Sequence, residues 1–203
     1  MRFIIMSNGS GKRWQNYNNI PKQLIDIGHE TLLQRTVRLL KAYAAESAII
    51  ITSRNKLLET KGAELYKPLQ DSLEIDRFTY ELIEEDTCFL YGDTYYTESA
   101  IKTIVNQQTE DILFFGNSQR IFAVKVKDAQ LMKTHIDIIK KLFLSGEIND
   151  CKGWQLYQSI TGTPFGDKTI SEKYFLINDI TTDFNRPEEY ELFIGKTNCG
   201  SEA

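Results

Sequence analysis

Cysteine is scarce in this chain of 203 residues. Cys88, Cys151 and Cys199 make an odd, widely spaced set with no CxxC pair. That argues against a disulfide framework or a cysteine-based zinc site, and for a reducing compartment, with the cytoplasm as the expected location. Histidine is scarcer still: His29 and His135 offer no convincing Ser-His or Cys-His nucleophilic pair. No apolar run approaches the roughly 18 residues needed to span a bilayer. The opening, MRFIIMSNGS, has too short an apolar segment for a secretory signal. Clustered positive charge is missing as well: 24 basic residues are scattered among 28 acidic ones, a net charge of −4. Nucleic acid is therefore disfavoured as a principal partner. Repeats, low-complexity tracts and linkers are lacking; Lys196 to Ala203 read as a frayed end. What is there, 41% hydrophobic and 26% charged, suits one folded domain over residues 1–203.

Strand-like apolar runs alternate with helical periodicity, which predicts an α/β fold with a mostly parallel central sheet. The expected strands are Arg2–Met6, Ser47–Thr52, Thr87–Tyr91, Asp111–Phe115 and Arg120–Lys127. Runs such as Ala48, Ile49, Ile50, Ile51 are apolar on both sides, as central strands covered on both faces require. Leu33, Val37, Leu40 and Ala44 mark a helix over Glu30–Ala45, and Leu131, His135, Ile138 and Leu142 mark another over Ala129–Leu144. Thr97–Val105, Pro187–Phe193 and Asp71–Ile83 read as further helices, with part of Leu57–Pro68 extended. On this pattern His135 is a structural histidine on an apolar stripe and His29 a solvated turn residue. Glu84, Glu85 and Asp86 form an exposed loop whose charge would repel phosphate.

The first strand breaks into a loop carrying Asn8, Gly9, Ser10 and Gly11, then Lys12 and Arg13, with Lys22 following Pro21. A strand entering a glycine turn lets backbone N–H groups approach a phosphate, and the cations would clamp a polyphosphate. Two familiar glycine motifs fail. A P-loop needs Gly where Met6 stands and Ser or Thr where Arg13 stands; a dinucleotide fingerprint needs Gly where Trp14 stands. What remains is GxGxR followed by PK. The same residues also fit an ordinary turn with surface cations, and Lys12 equally suits solvent.

This block resembles the opening of nucleotidyltransferases that join a nucleoside monophosphate to a phosphorylated metabolite. PKQLIDIGHETLLQRTVRLL is especially similar to the polyol-phosphate cytidylyltransferases. LYGDTYY around Asp93 and TDFNRPEEYE around Asp183 and Asn185 resemble later family segments in the family's order, GDTYY looking more like the sugar-phosphate branch. The resemblance, which extends to molybdenum-cofactor transferases, implies a Rossmann-like three-layer sandwich of the nucleotide-diphospho-sugar transferase type. It implies Mg²⁺-dependent transfer of a nucleotidyl group, CMP from CTP by preference, to a sugar, polyol or amino-alcohol phosphate or a phosphonate. The product would be an activated building block for a surface polysaccharide or lipid head group. By the same resemblance Arg13 grips the triphosphate, Lys22 bridges toward the α-phosphate and acceptor, and Asp93, Asp183 and Asn185 stand at the metal.

The residue types suit that chemistry. An anionic acceptor needs no general base, whereas two polyanions that must meet need cations and a divalent ion where charge builds. Asp93 follows an apolar strand and would sit at its carboxyl end, where open α/β sheets bind ligands; it also fits a plain turn after Gly92. Asp183 and Asn185 alternate along an extended segment and could face one ion, or could cap the helix beginning at Pro187. Trp154 and Tyr157, and Tyr95 and Tyr96, could wall an acceptor pocket or pack in the core. A glycosyltransferase of related fold is one rival, weakened by Thr94 and Tyr95 where D-x-D chemistry would want a second acid. A non-catalytic nucleotide-binding regulatory module is another. The chain leaves open whether it forms a homo-oligomer.

Overall fold

The computed structural model describes residues 1–9, 11–15 and 17–199. Along the chain run β1 (Arg2–Met6), β2 (Asp26–Ile27), β3 (Glu30–Thr31), α1 (Leu32–Tyr43), β4 (Ala48–Thr52) and β5 (Glu64–Tyr66). Then come β6 (Thr87–Tyr91), β7 (Thr94–Tyr95), α2 (Glu98–Asn106), β8 (Ile112–Gly116) and β9 (Ile121–Val126). Last are α3 (Ala129–Leu144), α4 (Gly153–Thr161), β10 (Tyr174–Leu176), β11 (Thr182–Asp183) and α5 (Pro187–Cys199).

Seven strands form one sheet in the order β10-β8-β9-β6-β1-β4-β5. β1 pairs in parallel with both β4 and β6, and β9 runs antiparallel between β6 and β8. From β1 the chain moves outward through β4 and β5, then returns to β6 on the other side. The carboxyl ends of β1 and β6 therefore flank the point where strand order reverses, the usual ligand position in such sheets.

Alternation along the strands builds a core on each face. Phe3, Ile5, Ile51 and Leu90 pack against Leu33, Val37 and Leu40 of α1 and Ile101 and Ile104 of α2. Ile4, Met6, Phe89 and Phe114 point the other way, onto Met132, Ile136 and Ile139 of α3 and Leu156 and Tyr157 of α4. Each such side chain contributes about 1.5–3 kcal/mol when fully buried. The result is the three-layer sandwich expected from the sequence. A third, smaller core joins Trp14, Ile25, Ile27 and Leu32 to Phe184, with Tyr190 and Phe193 of α5 packed on it. It fastens the loop after β1 to the end of the chain.

The helices start where their sequences stop them from starting earlier. Thr31 and Gln34 form a reciprocal capping box at α1, each side chain bonding the other's backbone N–H at 3.2 and 3.0 Å. Glu30 and Thr31 therefore belong to a short ribbon, and the helix expected from Glu30 begins two residues later. Thr97 caps α2 and Asp128 caps α3 one way only, each side chain accepting from a first-turn backbone N–H, that of Ala100 and of Leu131.

Several expectations are corrected. Asp71–Ile83 is not one helix but two 3₁₀ turns, Glu74–Phe78 and Tyr80–Leu82. Thr79 between them adopts φ 45°, and the Asp76 carboxylate turns back to accept from the Leu73 N–H at 2.8 Å. The residues of α3 are as expected, but Ile138 is 40% exposed and Met132, Ile136 and Ile139 form its buried face, one position round from the anticipated stripe. α5 continues past Phe193 to Cys199, so Lys196 is helical rather than frayed. Residues 153–161 and 174–176 form a helix and an edge strand that the periodicity did not flag. Cys88 and Cys151 are free and buried, and burial pushes the Cys88 thiol up to about 12. His135 bonds Ser159 at 2.8 Å, His29 is exposed, and so are Glu84, Glu85 and Asp86.

Candidate active site

The loop leaving β1 is shaped by backbone geometry rather than by repeating structure. Gly11 takes a left-handed conformation at φ 60° and starts a 3₁₀ turn over Lys12–Trp14. Trp14 then buries its ring in the third core and donates its indole N–H to the Ile20 carbonyl at 3.3 Å. Pro21, at φ −58°, opens a further turn over Lys22–Leu24. Lys22 is thereby fixed beneath the strand ends.

Asp93 is brought to the same place by Gly92. Its N–H bonds the Met6 carbonyl at 3.0 Å, and a Cβ on it would come within 2.2 Å of Ser7 Oγ and 2.9 Å of the Met6 oxygen. Only glycine lets β6 end this close to β1. Asp93 follows with a side chain just 12% exposed, paired with the Lys22 ammonium, itself 12% exposed. Lys22 Nζ also lies 3.5 Å from the Phe184 carbonyl.

The third contribution comes from the antiparallel ribbon of β7 and β11, in which Asp183 faces Thr94. The Phe184 N–H donates to the Asp93 carbonyl at 2.9 Å, so Asp93 and Asp183 stand side by side. Burial, reinforced by the charge of Asp93, pushes the Asp183 carboxyl above the usual carboxylate range, although Arg120 and Asn185 pull the other way. Arg120 pairs with the Asp183 carboxylate, donates to its backbone oxygen at 2.8 Å and reaches Glu189 at 3.0 Å. Arg13 donates to Asn185 Oδ1 at 2.7 Å, while Asn185 Nδ2 donates to Asp183 at 2.6 Å.

Arg13, Lys22, Asp93, Asp183 and Asn185 are thus brought into one contiguous network. Two cavities open on either side of the Lys22–Asp93 pair. One, of about 450 Å³, is lined by Asn8, Gly9, Gly11, Lys22 and Asn55 among others. Both polar atoms of the Asn8 amide and the Ser7 hydroxyl are buried there without a hydrogen-bond partner. The other, of about 730 Å³, is lined by Arg13, Asp93, Arg120, Trp154 and Asp183 among others. Lys12 is exposed and borders a smaller cavity beside Gly9. Ser10 lies outside the described residues.

The two aromatic candidates part company. Trp154 lines the larger cavity, stacked on Tyr174 at 5.9 Å and with the Lys168 ammonium 5.5 Å over its ring. Tyr95 borders neither large cavity: its ring packs on Phe193 at 4.7 Å and beneath Arg35 at 4.8 Å, because the third core needs it there. Tyr96 and Tyr157 are fully buried, and the Tyr96 hydroxyl donates to Phe122 at 2.6 Å. Arg120 and Arg77, both lining the larger cavity, were not anticipated. Arg120 immediately precedes an all-buried strand, the one local hint that a charge at that strand's mouth has a task.

Among the described residues no three His, Cys, Asp or Glu side chains cluster as a metal site. The donor chemistry nevertheless fits Mg²⁺, which takes one or two protein carboxylates and fills the rest of its shell with water and phosphate oxygens. Asp93 and Asp183 are such a pair, and their mutual repulsion is what a divalent ion relieves. Asn185 fits less directly, since Arg13 already holds its amide oxygen.

Among the described residues no helix is long and apolar enough to cross a membrane. No protein-family model and no curated protein matches the sequence. Solved structures do. A CTP:phosphocholine cytidylyltransferase from Streptococcus pneumoniae superposes with a TM-score of 0.61 at 16% identity, over 97% of this chain and 98% of that one. A 4-diphosphocytidyl-2C-methyl-D-erythritol synthase from Anaerococcus prevotii gives 0.63 at 13% identity, over 97% and 95%. A protein described as a glucose-1-phosphate thymidylyltransferase from Bacillus anthracis gives 0.62 at 15%, over 96% and 94%. The chain has the nucleotide-diphospho-sugar transferase-like fold shared by these nucleotidyltransferases, the family that its loop and carboxylate motifs resemble.

Proposed function

We propose that residues 1–203 form one nucleotidyltransferase domain. It moves a nucleoside monophosphate from a triphosphate to a small phosphorylated or phosphonylated acceptor. The observation that carries this reading is the meeting of Arg13, Lys22, Asp93 and Asp183, distant in sequence, at the mouths of β1 and β6.

The cavity beside Asn8 and Gly9 suits the nucleoside, and the one beside Trp154 suits the acceptor. An acceptor phosphate oxygen attacks the α-phosphorus in line; the bond to the bridging oxygen breaks, and pyrophosphate leaves with its electron pair. The attacking oxygen is already anionic, so the step needs no general base. Lys22, on the wall between the cavities, neutralises charge shared by the α-phosphate and the acceptor, and Arg13 does so for the outgoing phosphates. Asp93 and Asp183 would hold Mg²⁺, which supplies charge neutralisation at the phosphate oxygens when bound. Asn185 orients Arg13 and Asp183 and would become a ligand only by releasing Arg13.

CTP is the preferred donor, a choice supported by the PKQL segment and by the cytidylyl chemistry that two of the neighbours are named for. The product is an activated building block for a polysaccharide or lipid head group, made in the cytoplasm. The test is pyrophosphate release from each NTP with Mg²⁺ and a panel of sugar, polyol and amino-alcohol phosphates. Release from at least one pair is expected, fastest with CTP. No release from any pair, by protein that still binds NTP, would leave a regulatory nucleotide-binding module instead.

A further inference from the structure

Gly11 is glycine for conformation, but Gly9 is not: Gly9 does not share the positive φ of Gly11, and its backbone would accept an L side chain. What fills the place of its missing Cβ is the guanidinium of Arg77. A Cβ there would lie 3.0 Å from Arg77 Nη2, 3.2 Å from Cζ and 3.4 Å from Nε. Arg77 is delivered by the 3₁₀ turn Glu74–Phe78, whose Ile75 and Phe78 are buried in the core beneath the sheet. The root of the side chain is therefore fixed while its head lies across the glycine loop.

That head is largely uncommitted. Among the described residues its one ion pair is with Glu74, long at 3.7 Å and to a side chain 46% exposed. Arg13 and Lys22, by contrast, are held by Asn185 and Asp93. Arg77 also borders two cavities at once, the larger one with Arg13 and Asp93 and a smaller one with Asn8, Gly9 and Lys12. A planar fork of N–H donors with spare capacity, pressed on a loop whose backbone can meet phosphate, is suited to phosphate oxygens.

We propose that Arg77 is a polyphosphate-binding residue, laid across Gly9 to grip the triphosphate from the side opposite the loop's own cations, and that Gly9 lacks a side chain to admit it. This assignment rests on the nucleotidyltransferase reading of the site.

The test is calorimetric binding of inorganic tripolyphosphate and of each NTP to the full-length protein. It compares wild type with Arg77→Ala, Arg77→Lys, Gly9→Ala, the Gly9→Ala/Arg77→Ala pair, and Arg38→Ala as a surface control. Arg77→Ala is expected to weaken tripolyphosphate about 10- to 100-fold, the scale of a charge-assisted contact. Arg77→Lys recovers part of that, and Arg38→Ala changes nothing. Gly9→Ala displaces the flexible guanidinium without unfolding the loop and loses a similar factor; in the pair the two losses overlap rather than multiply. In turnover, Arg77→Ala raises KM for the NTP and leaves KM for the acceptor alone. Equal tripolyphosphate affinity in wild type and Arg77→Ala overturns the proposal, as do multiplicative losses in the pair. So does a changed ranking of the four NTPs with tripolyphosphate binding untouched, which would make Arg77 a base contact. If wild type binds neither tripolyphosphate nor any NTP, the nucleotidyltransferase reading fails with it; the other outcomes overturn Arg77 alone.

Discussion

Replacing Asp93 with alanine separates chemistry from folding more cleanly than any other change at the site. Asp93 and Lys22 are each 12% exposed, and a fully buried pair broken on one side loses about 3–5 kcal/mol through the stranded charge. Two features reduce that figure here. Lys22 stands on a cavity wall, so water can solvate its ammonium once the carboxylate has gone, and the Phe184 carbonyl lies 3.5 Å away. Removing Asp93 also ends its repulsion of Asp183, one of the causes holding that carboxyl above its ordinary range. The expected net loss is about 1–2 kcal/mol, or about 2–8 °C in Tm for a chain of this length.

Turnover should fall far more steeply. Loss of a single preorganised transition-state contact removes about 10²–10³ in rate, and if Asp93 holds the metal as proposed while also positioning Lys22, its loss removes at least as much. The assay is pyrophosphate release under saturating NTP and acceptor, beside a thermal melt of the same preparation. A Lys22→Met variant and the double variant complete a cycle: the two single losses should overlap, because each residue holds the other. Turnover within tenfold of wild type would refute the metal assignment. A protein that fails to fold would show Asp93 to be structural, and the site would have to be rebuilt without it.

Gly92→Ala tests the close approach that delivers Asp93. With the new Cβ 2.2 Å from Ser7 Oγ and 2.9 Å from a backbone oxygen, the strand ends must separate, at a cost of about 1–3 kcal/mol read as a lowered Tm. A variant with wild-type Tm and turnover would contradict that geometry. His135 offers a pH test away from the site. Burial holds its pKa below the ordinary imidazole value, so the folded state resists a proton that the unfolded chain accepts. Stability is therefore greatest above the unfolded pKa and is lost as pH falls through it toward the lowered folded value. His135→Gln should flatten the fall in Tm between pH 7.5 and pH 5.5; an unchanged slope would assign the acid sensitivity elsewhere.

How much of this was legible beforehand follows from which forces leave a local trace. β1 and β6 were readable to the residue because, after their opening Arg2 and Thr87, strands covered on both faces run as continuous apolar segments. β10 was not, since an edge strand of three residues with Phe175 and Leu176 part-exposed has no period to detect. α3 carries two apolar stripes at helical spacing, and only the sheet decides that Met132, Ile136 and Ile139 face inward. The site divides in the same way. The convergence of Arg13, Lys22, Asp93 and Asp183 followed from the family resemblance and, for Asp93, from its place at the end of an apolar strand. Arg120 and Arg77 could not, because each reaches the cleft from a segment whose own pattern says nothing of phosphate. Gly9 carries a clue of another kind, a glycine without a conformational reason to be one, which only the structure reveals, with a residue from another part of the chain lying on it. A glycine whose dihedrals any residue could adopt therefore points outward, to whatever must come near, and here that is a cation with most of its donors free of partners among the described residues.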